Sequence, residues 1–247
     1  MQDNIPYHTP LISLAITTYN RPIKMIQEAL SEALVHPIVS EIVICDDASD
    51  ENYLSALRDE VHNMNRKGLI PVHLFVNSAN VGMSVNKFRA VSFCTSDWVL
   101  LFDSDNGLWK QTLDAICHLP ELFPDTIYSP SFASPNFDYR EFEGKTMNIK
   151  FVADHIDNRA MSVLLNTCNY LVNRTNYCNT FVPNPAISES DTIWFNYLWL
   201  KEGNKIHVVK DMHYFHRVHD GSGWKKNASK NILDAERIKN MIKSCVE

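Results

Sequence analysis

The sequence predicts an α/β protein, a mostly parallel central sheet flanked by helices in a single domain spanning 1–247. Three observations carry that expectation. Short apolar runs of strand length alternate with helix-period segments through the first hundred residues. The connections between them are short, as strand–helix units require. The polar clusters of this region fall only in the connections that follow strands.

Residues 11–16 read as a buried strand that ends in Thr17-Thr18-Tyr19-Asn20-Arg21-Pro22. Proline suits the first turn of a helix, and Ile23, Ile26, Leu30 and Leu34 follow at helical spacing. A second strand, 41–45, ends in Asp46-Asp47-Ala48-Ser49-Asp50. There Ser49 is expected to cap a helix whose apolar stripe is Leu54, Leu57, Val61 and Met64, with Gly68 as its stop. A third strand, 72–76, leads through Asn77, Asn80 and Gly82 to Ser84, the expected cap of a helix over 85–94. The fourth strand, 98–102, reads as buried on both faces and runs into Asp103-Ser104-Asp105-Asn106.

Side chains two apart on an extended chain point the same way, so Asp103 and Asp105 are expected to share one target with Ser104 turned away. Right-handed crossovers place all four loops along one edge. In open α/β sheets, ligands bind beyond the carboxyl ends of the strands. Paired hard oxygen donors there suit Mg²⁺ or Mn²⁺ held jointly with a phosphate. The same residues also suit a surface turn. Neither a G-x-G-x-x-G nor a G-x-x-x-x-G-K-[ST] pattern is present, which removes support for a dinucleotide fold or a P-loop.

Past Asn106 the alternation lapses. A helix is expected over 109–122, a strand over 126–129 and a loop-rich stretch over 131–145. A helix over 191–202 is stopped by Gly203, followed by a strand over 205–209. The histidine-rich run from Asp211 to Trp224 and a terminal helix over 232–246 complete the chain.

A formal net charge of −6 over 247 residues argues against a general nucleic-acid binder. No apolar run approaches the length of a membrane span, and Met1-Gln-Asp-Asn lacks the basic and apolar regions of a signal peptide. Cytoplasmic localisation is the resulting expectation. The six cysteines are scattered without a C-x-x-C pair and read as buried free thiols. Without a secretory signal, the acceptor patterns at Asn173 and Asn227 read as coincidence. Nothing in the sequence specifies an oligomeric state.

The order of these motifs resembles the inverting glycosyltransferases of the GT-A fold, in the large family numbered 2. The matching pieces are Ile16-Thr-Thr-Tyr-Asn-Arg21, Ile44-Cys-Asp-Asp-Ala-Ser-Asp50, Asn80-Val-Gly-Met-Ser84 with Asn86 and Lys87, Leu101-Phe-Asp-Ser-Asp-Asn106, and the late acidic cluster Glu189-Ser-Asp191. The resemblance covers residues 1–106 well and the remainder patchily. It implies a nucleotide-sugar-binding half over 1–106 and an acceptor-binding half over 107–247, with a C-terminal lid and helix.

Carried over by position, the resemblance implies that Thr17, Tyr19, Arg21 and Asp47 hold the nucleotide. The chemistry agrees, since an aromatic face stacks on a base and a carboxylate accepts its ring N–H. Lys87 falls near the nucleotide, although Phe88 replaces a neighbouring asparagine of the family. Asp103 corresponds to a contact to ribose or metal, and Asp105 to the principal metal ligand. Asp191 corresponds to the general base, with Glu189 as the alternative; the position between them is Ser190 rather than the common glutamate. In the histidine-rich run, His219 offers a further metal contact. Arg217, Ser222 and Trp224 belong to a segment that closes over the donor phosphates. The implied cofactor is Mn²⁺ or Mg²⁺. The implied partners are a nucleotide-sugar donor, with UDP favoured, and a carbohydrate or glycoconjugate acceptor.

Simpler roles stay open for single residues at this level: Tyr19 in the core, Asp47 in a turn, Ser190 or Asp191 as a helix cap. Two other functions compete. A sugar-nucleotide nucleotidyltransferase shares the architecture, but its phosphate loop is glycine-rich and Thr17 to Pro22 contains no glycine. A catalytically inactive nucleotide- or glycan-binding relative is disfavoured by intact Asp103, Asp105 and Asp191.

Overall fold

Four parallel strands lead the chain in the computed structural model, which describes residues 10–68, 70–187, 190–218 and 228–246. They are β1 (Ile12–Thr18), β2 (Val39–Asp46), β3 (Val72–Val76) and β4 (Trp98–Asp103), laid side by side in the order β3-β2-β1-β4. Helices α1 (Ile23–Leu30), α2 (Glu51–Lys67) and α3 (Met83–Phe93) connect them. Leu14, Ile16, Ile42, Ile44, Val99 and Leu101 are all buried, as expected of strands covered on both faces. The predicted stripe of α2, Leu54, Leu57, Val61 and Met64, is the face it buries. Gly68 ends that helix by donating its N–H to the Met64 carbonyl at 2.7 Å.

The remaining strands are β5 (Thr126–Ser129), β6 (Phe132–Ser134), β7 (Phe137–Asp138), β8 (Thr146–Met147), β9 (Tyr170–Asn173), β10 (Lys205–Val208) and β11 (His213–Phe215). Four of these extend the central sheet beyond β4 in the order β9-β5-β10-β8, with β9 antiparallel to both β4 and β5. Both halves of the chain therefore share one sheet and one continuous apolar core, in which Leu101, Leu171, Phe195 and Trp199 all take part. The flanking helices of the second half are α4 (Lys110–Cys117), α5 (Ile149–Asp154), α6 (Arg159–Leu164), α7 (Arg174–Thr180), α8 (Asp191–Lys201) and α9 (Ala228–Ser244).

Several local expectations change. Ser49 does not cap α2; its hydroxyl donates to Asp46 and accepts the Asn20 N–H. Ser84 lies inside α3, which begins at Met83 behind Gly82. The helix expected over 109–122 stops at Cys117, because Pro120 denies helical geometry to Leu119. The stretch 131–145, expected as loop, contributes β6 and β7 to a second sheet ordered β11-β6-β7. Asn173, one of the two acceptor-pattern asparagines, caps α7 by accepting the Asn176 N–H at 3.1 Å. All six cysteines are free thiols, and Cys45, Cys94, Cys117 and Cys168 are buried. Among the described residues no helix is long and apolar enough to cross a membrane.

Candidate active site

Strand register sets the site. Thr17 lies opposite both Cys45 and Asp103, Thr18 opposite Asp46, and Asp46 opposite Val76. The four parallel strands thus end at one level, and the loops after them leave along one edge of the sheet.

Hydrogen bonds lace the first three of these loops together. The Asp46 carboxylate accepts the Ser49 N–H at 2.8 Å, and the Asp50 N–H donates to Asn20 Oδ1 at 3.0 Å. Asp47 is 4% exposed and accepts from Asn77 Nδ2 at 2.9 Å and from the N–H groups of Val81 (2.8 Å) and Gly82 (2.9 Å). Of its two oxygens, Oδ1 takes two of these donors and Oδ2 one, so Oδ2 keeps one acceptor position. Asn77 in turn bonds Asn86 Oδ1 at 2.9 Å and accepts from Arg89 at 2.7 Å. Tyr19 stands out from this framework at 52% exposure. A recess of about 550 Å³, lined by Asn20, Asp50, Glu51, Asn52 and Tyr53, opens between the first two loops.

The charged centre lies at the end of β4. Lys87, 5% exposed on α3, places Nζ 3.0 Å from Asp191 Oδ2 and 4.0 Å from Asp103 Oδ1. Burial alone favours a neutral amine, but the carboxylates of Asp191 and Asp103 prevail and hold the ammonium well above its ordinary pKa. Asp191 is itself buried, in the first turn of α8. Asp103 also accepts the Cys168 thiol at 3.1 Å, and its N–H donates to Asn169 Oδ1 at 2.8 Å. Burial and the nearby Asp103 charge raise the pKa of Cys168 far above that of a free thiol, so it stays protonated. Asp105 faces Arg21, 3.2 Å away. Ser104 between the two acids is buried, but β4 ends at Asp103, and Ser104 and Asp105 lie in the turn after it, so strand alternation does not set their directions.

The C-terminal segment docks on the same loop. Gly107 and Phe215 exchange two backbone hydrogen bonds of 2.9 Å, and the Arg217 N–H donates to Asn106 Oδ1 at 3.1 Å. A side chain at 107 would place its Cβ 3.1 Å from that of Phe215, so glycine permits this approach. The segment carries His216 to the acids. Burial pushes the His216 imidazole below its ordinary pKa, against the opposing pull of the Asp103 and Asp105 charges. Its Nδ1 is buried and makes no hydrogen bond among the described residues.

The fold thus brings Thr17, Arg21, Lys87, Asp103, Asp105 and Asp191 to one rim. Arg217 departs from this group, since its guanidinium pairs with Glu28 of α1. Glu189, His219, Ser222 and Trp224 lie outside the described residues. Sequence reasoning passed over His216, Cys168 and Asn169. Only His216 carried a signal, as the middle histidine of a run with a spacing of three. Asp103 and Asp105 offer the hard oxygen donors that a divalent cation takes, while the ligand atoms of Asp103, Asp105 and His216 do not all lie within 4.8 Å of one another.

Residues 13–122 match the family described as Glycosyl transferase family 2. The chain resembles the solved structure of S. aureus TarS 1-349 in complex with UDP-GlcNAc, with a TM-score of 0.69 at 17% identity over 94% of this chain and 66% of that one. It also resembles the UDP complex of the same protein, with a TM-score of 0.66 at 18% identity over 94% and 65% of the two chains. Mannosyltransferase PcManGT from Pyrobaculum calidifontis, in complex with GDP-Man and Mn²⁺, gives a TM-score of 0.63 at 16% identity over 94% and 65%. The chain therefore spans slightly less than two thirds of the length of these structures. No curated protein sequence matches it.

Proposed function

Because residues 13–122 are a glycosyl transferase family 2 domain and the chain takes the GT-A fold, we propose that it transfers a sugar from a nucleotide diphosphate donor to an acceptor hydroxyl with inversion. The observation that carries this reading is the chain of charges Asp191–Lys87–Asp103, which couples a buried carboxylate to the acid at the end of β4. UDP is the favoured nucleotide, by analogy with the UDP and UDP-GlcNAc that TarS holds on the same fold.

In this reading the exposed face of Tyr19 stacks on the base, and the free acceptor position of Asp47 takes its ring N–H. Thr17 and Asp103, side by side on β1 and β4, face the ribose. Asp103 and Asp105 would hold Mn²⁺ or Mg²⁺ through their hard oxygen donors. When bound, the ion stabilises charge on the departing diphosphate as a Lewis acid. Arg21, paired with Asp105 in this structure, supplies a further positive charge next to the diphosphate. Asp191 takes the proton of the incoming hydroxyl, with the Lys87 ammonium 3.0 Å away as its counter-charge. In-line attack on an oxocarbenium-like centre inverts the anomeric carbon. The second half of the chain, 107–247, binds the acceptor.

Calorimetric titration of UDP with and without Mn²⁺ tests the donor side. Wild-type protein is expected to bind UDP at least tenfold more tightly with Mn²⁺, and Asp105→Asn to lose that gain together with metal-dependent donor hydrolysis. Equal UDP affinity with and without the ion in the wild type would contradict the reading.

A further inference from the structure

Glu143, Asp211 and His213 bring two carboxylates and an imidazole together away from the donor acids. Their ligand-capable atoms all lie within 4.8 Å of one another. Glu143 follows the turn Arg140–Phe142, Asp211 sits in the turn between β10 and β11 with φ at 62°, and His213 opens β11. The Asp211 N–H donates to Glu143 Oε1 at 3.4 Å, and His213 Nε2 lies 3.8 Å from the same oxygen, beyond hydrogen-bond range. Nε2 is buried, makes no hydrogen bond among the described residues, and belongs to a side chain only 16% exposed. The other ring nitrogen, Nδ1, is 3.3 Å from the Gln111 side-chain amide. The Gln111 atom facing Nδ1 is the amide nitrogen, and a half-turn of that amide would bring its oxygen to Nδ1, move the ring proton there and leave Nε2 a lone pair for a metal, as in a metal-ligating histidine held by an outer partner. The neighbouring cation Arg140 is already engaged, bonded to Asp138 at 2.9 Å and stacked 4.8 Å over Phe132.

We propose that Glu143, Asp211 and His213 form a second divalent-cation site, distinct from the donor acids, whose best-matched ion is Zn²⁺. Mixed carboxylate and imidazole ligands with one position left for water suit zinc, and an imidazole donor disfavours Ca²⁺ and Mg²⁺. Ligands about 2.1 Å from one tetrahedral ion stand about 3.4 Å apart, so binding draws the three groups together by roughly 1 Å. Exposed Asp211 and half-buried Glu143 have room to make that movement. The ion would tie the turn before β11 to the loop after β7. It would thereby fix the strand that carries His216 and rests on Gly107.

The experiment counts Zn²⁺ bound after dialysis in protein whose donor acids are silenced by Asp105→Asn, with Co²⁺ as an optical probe. One equivalent of Zn²⁺ is expected, with thermal stabilisation and a visible Co²⁺ absorption. Adding His213→Gln or Glu143→Gln is expected to weaken binding at least tenfold and remove both signals. Glu143 is partly exposed and its exchange conservative, so this variant keeps the test valid if the His213 variant fails to fold. Absence of stoichiometric Zn²⁺ in the Asp105→Asn protein overturns the proposal, as does unchanged binding in the Glu143→Gln variant. A metal lost with Asp105→Asn alone belongs to the donor acids and leaves the transferase reading standing.

Discussion

Lys87 sits 5% exposed with its ammonium 3.0 Å from Asp191 and 4.0 Å from Asp103, so its removal leaves the buried Asp191 without a counter-charge. Breaking a buried pair from one side costs about 3–5 kcal/mol. Lys87→Met is therefore expected to lower unfolding free energy by about 3 kcal/mol in urea titrations, and an unchanged midpoint would contradict the placement. Because the folded-state pKa of Lys87 is raised, its contribution is complete at neutral pH. It is lost only as pH rises above about 10.4 and through the higher folded value. The acidic residues of this rim were legible in the sequence through the order of its motifs, although Asp105 lies in the turn past β4 rather than on the strand. The thiol of Cys168 and the amide of Asn169, which bond Asp103, were not, since their approach depends on β9 lying antiparallel to β4.

At the scale of elements, the loop between β3 and α3 is held by one carboxylate and one glycine. Gly82 has φ at 84° and ψ at 159°, a region essentially closed to other residues, while its N–H reaches Asp47 at 2.9 Å. Gly82→Ala should cost about 1–3 kcal/mol of stability and weaken UDP binding through the displaced loop, read by thermal unfolding and calorimetry. Full retention of both would show that the loop tolerates the exchange. The four strands before Asn106 were legible because each pairs a strand-length apolar run with a clear polar break. Later elements were harder to read for physical reasons. Strands β6, β7 and β11 are two or three residues long, too short to show a period. Strand β9 is four residues long and begins directly after the polar Asn169, so it offered little more. Helix α8 was read closely, expected over 191–202 and found over Asp191–Lys201, although it buries Asp191, Thr192 and Asn196 along with its apolar residues.

The two edges of the central sheet use acidic residues differently. At the amino edge, Glu41 of β2 accepts from Ser13 of β1 at 2.6 Å and from the Thr95 hydroxyl at 2.8 Å, joining three segments far from the donor rim. Burial raises its pKa, but the hydrogen bonds from Ser13 and Thr95 outweigh that and leave it below the usual carboxylate value. A carboxylate with a lowered folded pKa stabilises above its unfolded value near pH 4.3 and loses that contribution as pH falls through the folded one. Glu41→Gln should therefore cost about 1 kcal/mol at pH 7, converge with wild type as pH drops below about 4, and leave UDP affinity unchanged. Urea titrations across that range check the convergence.

At the opposite edge the proposed transfer assigns the acids to chemistry, and Asp191 is the residue on which that proposal rests. The most direct measurement is sugar transfer and UDP binding by Asp191→Asn against wild type. The account predicts transfer reduced at least 100-fold with UDP affinity within about threefold, as expected when a general base worth 10²–10⁴ in rate is removed. A parallel fall in both, or transfer that survives the exchange, would contradict it.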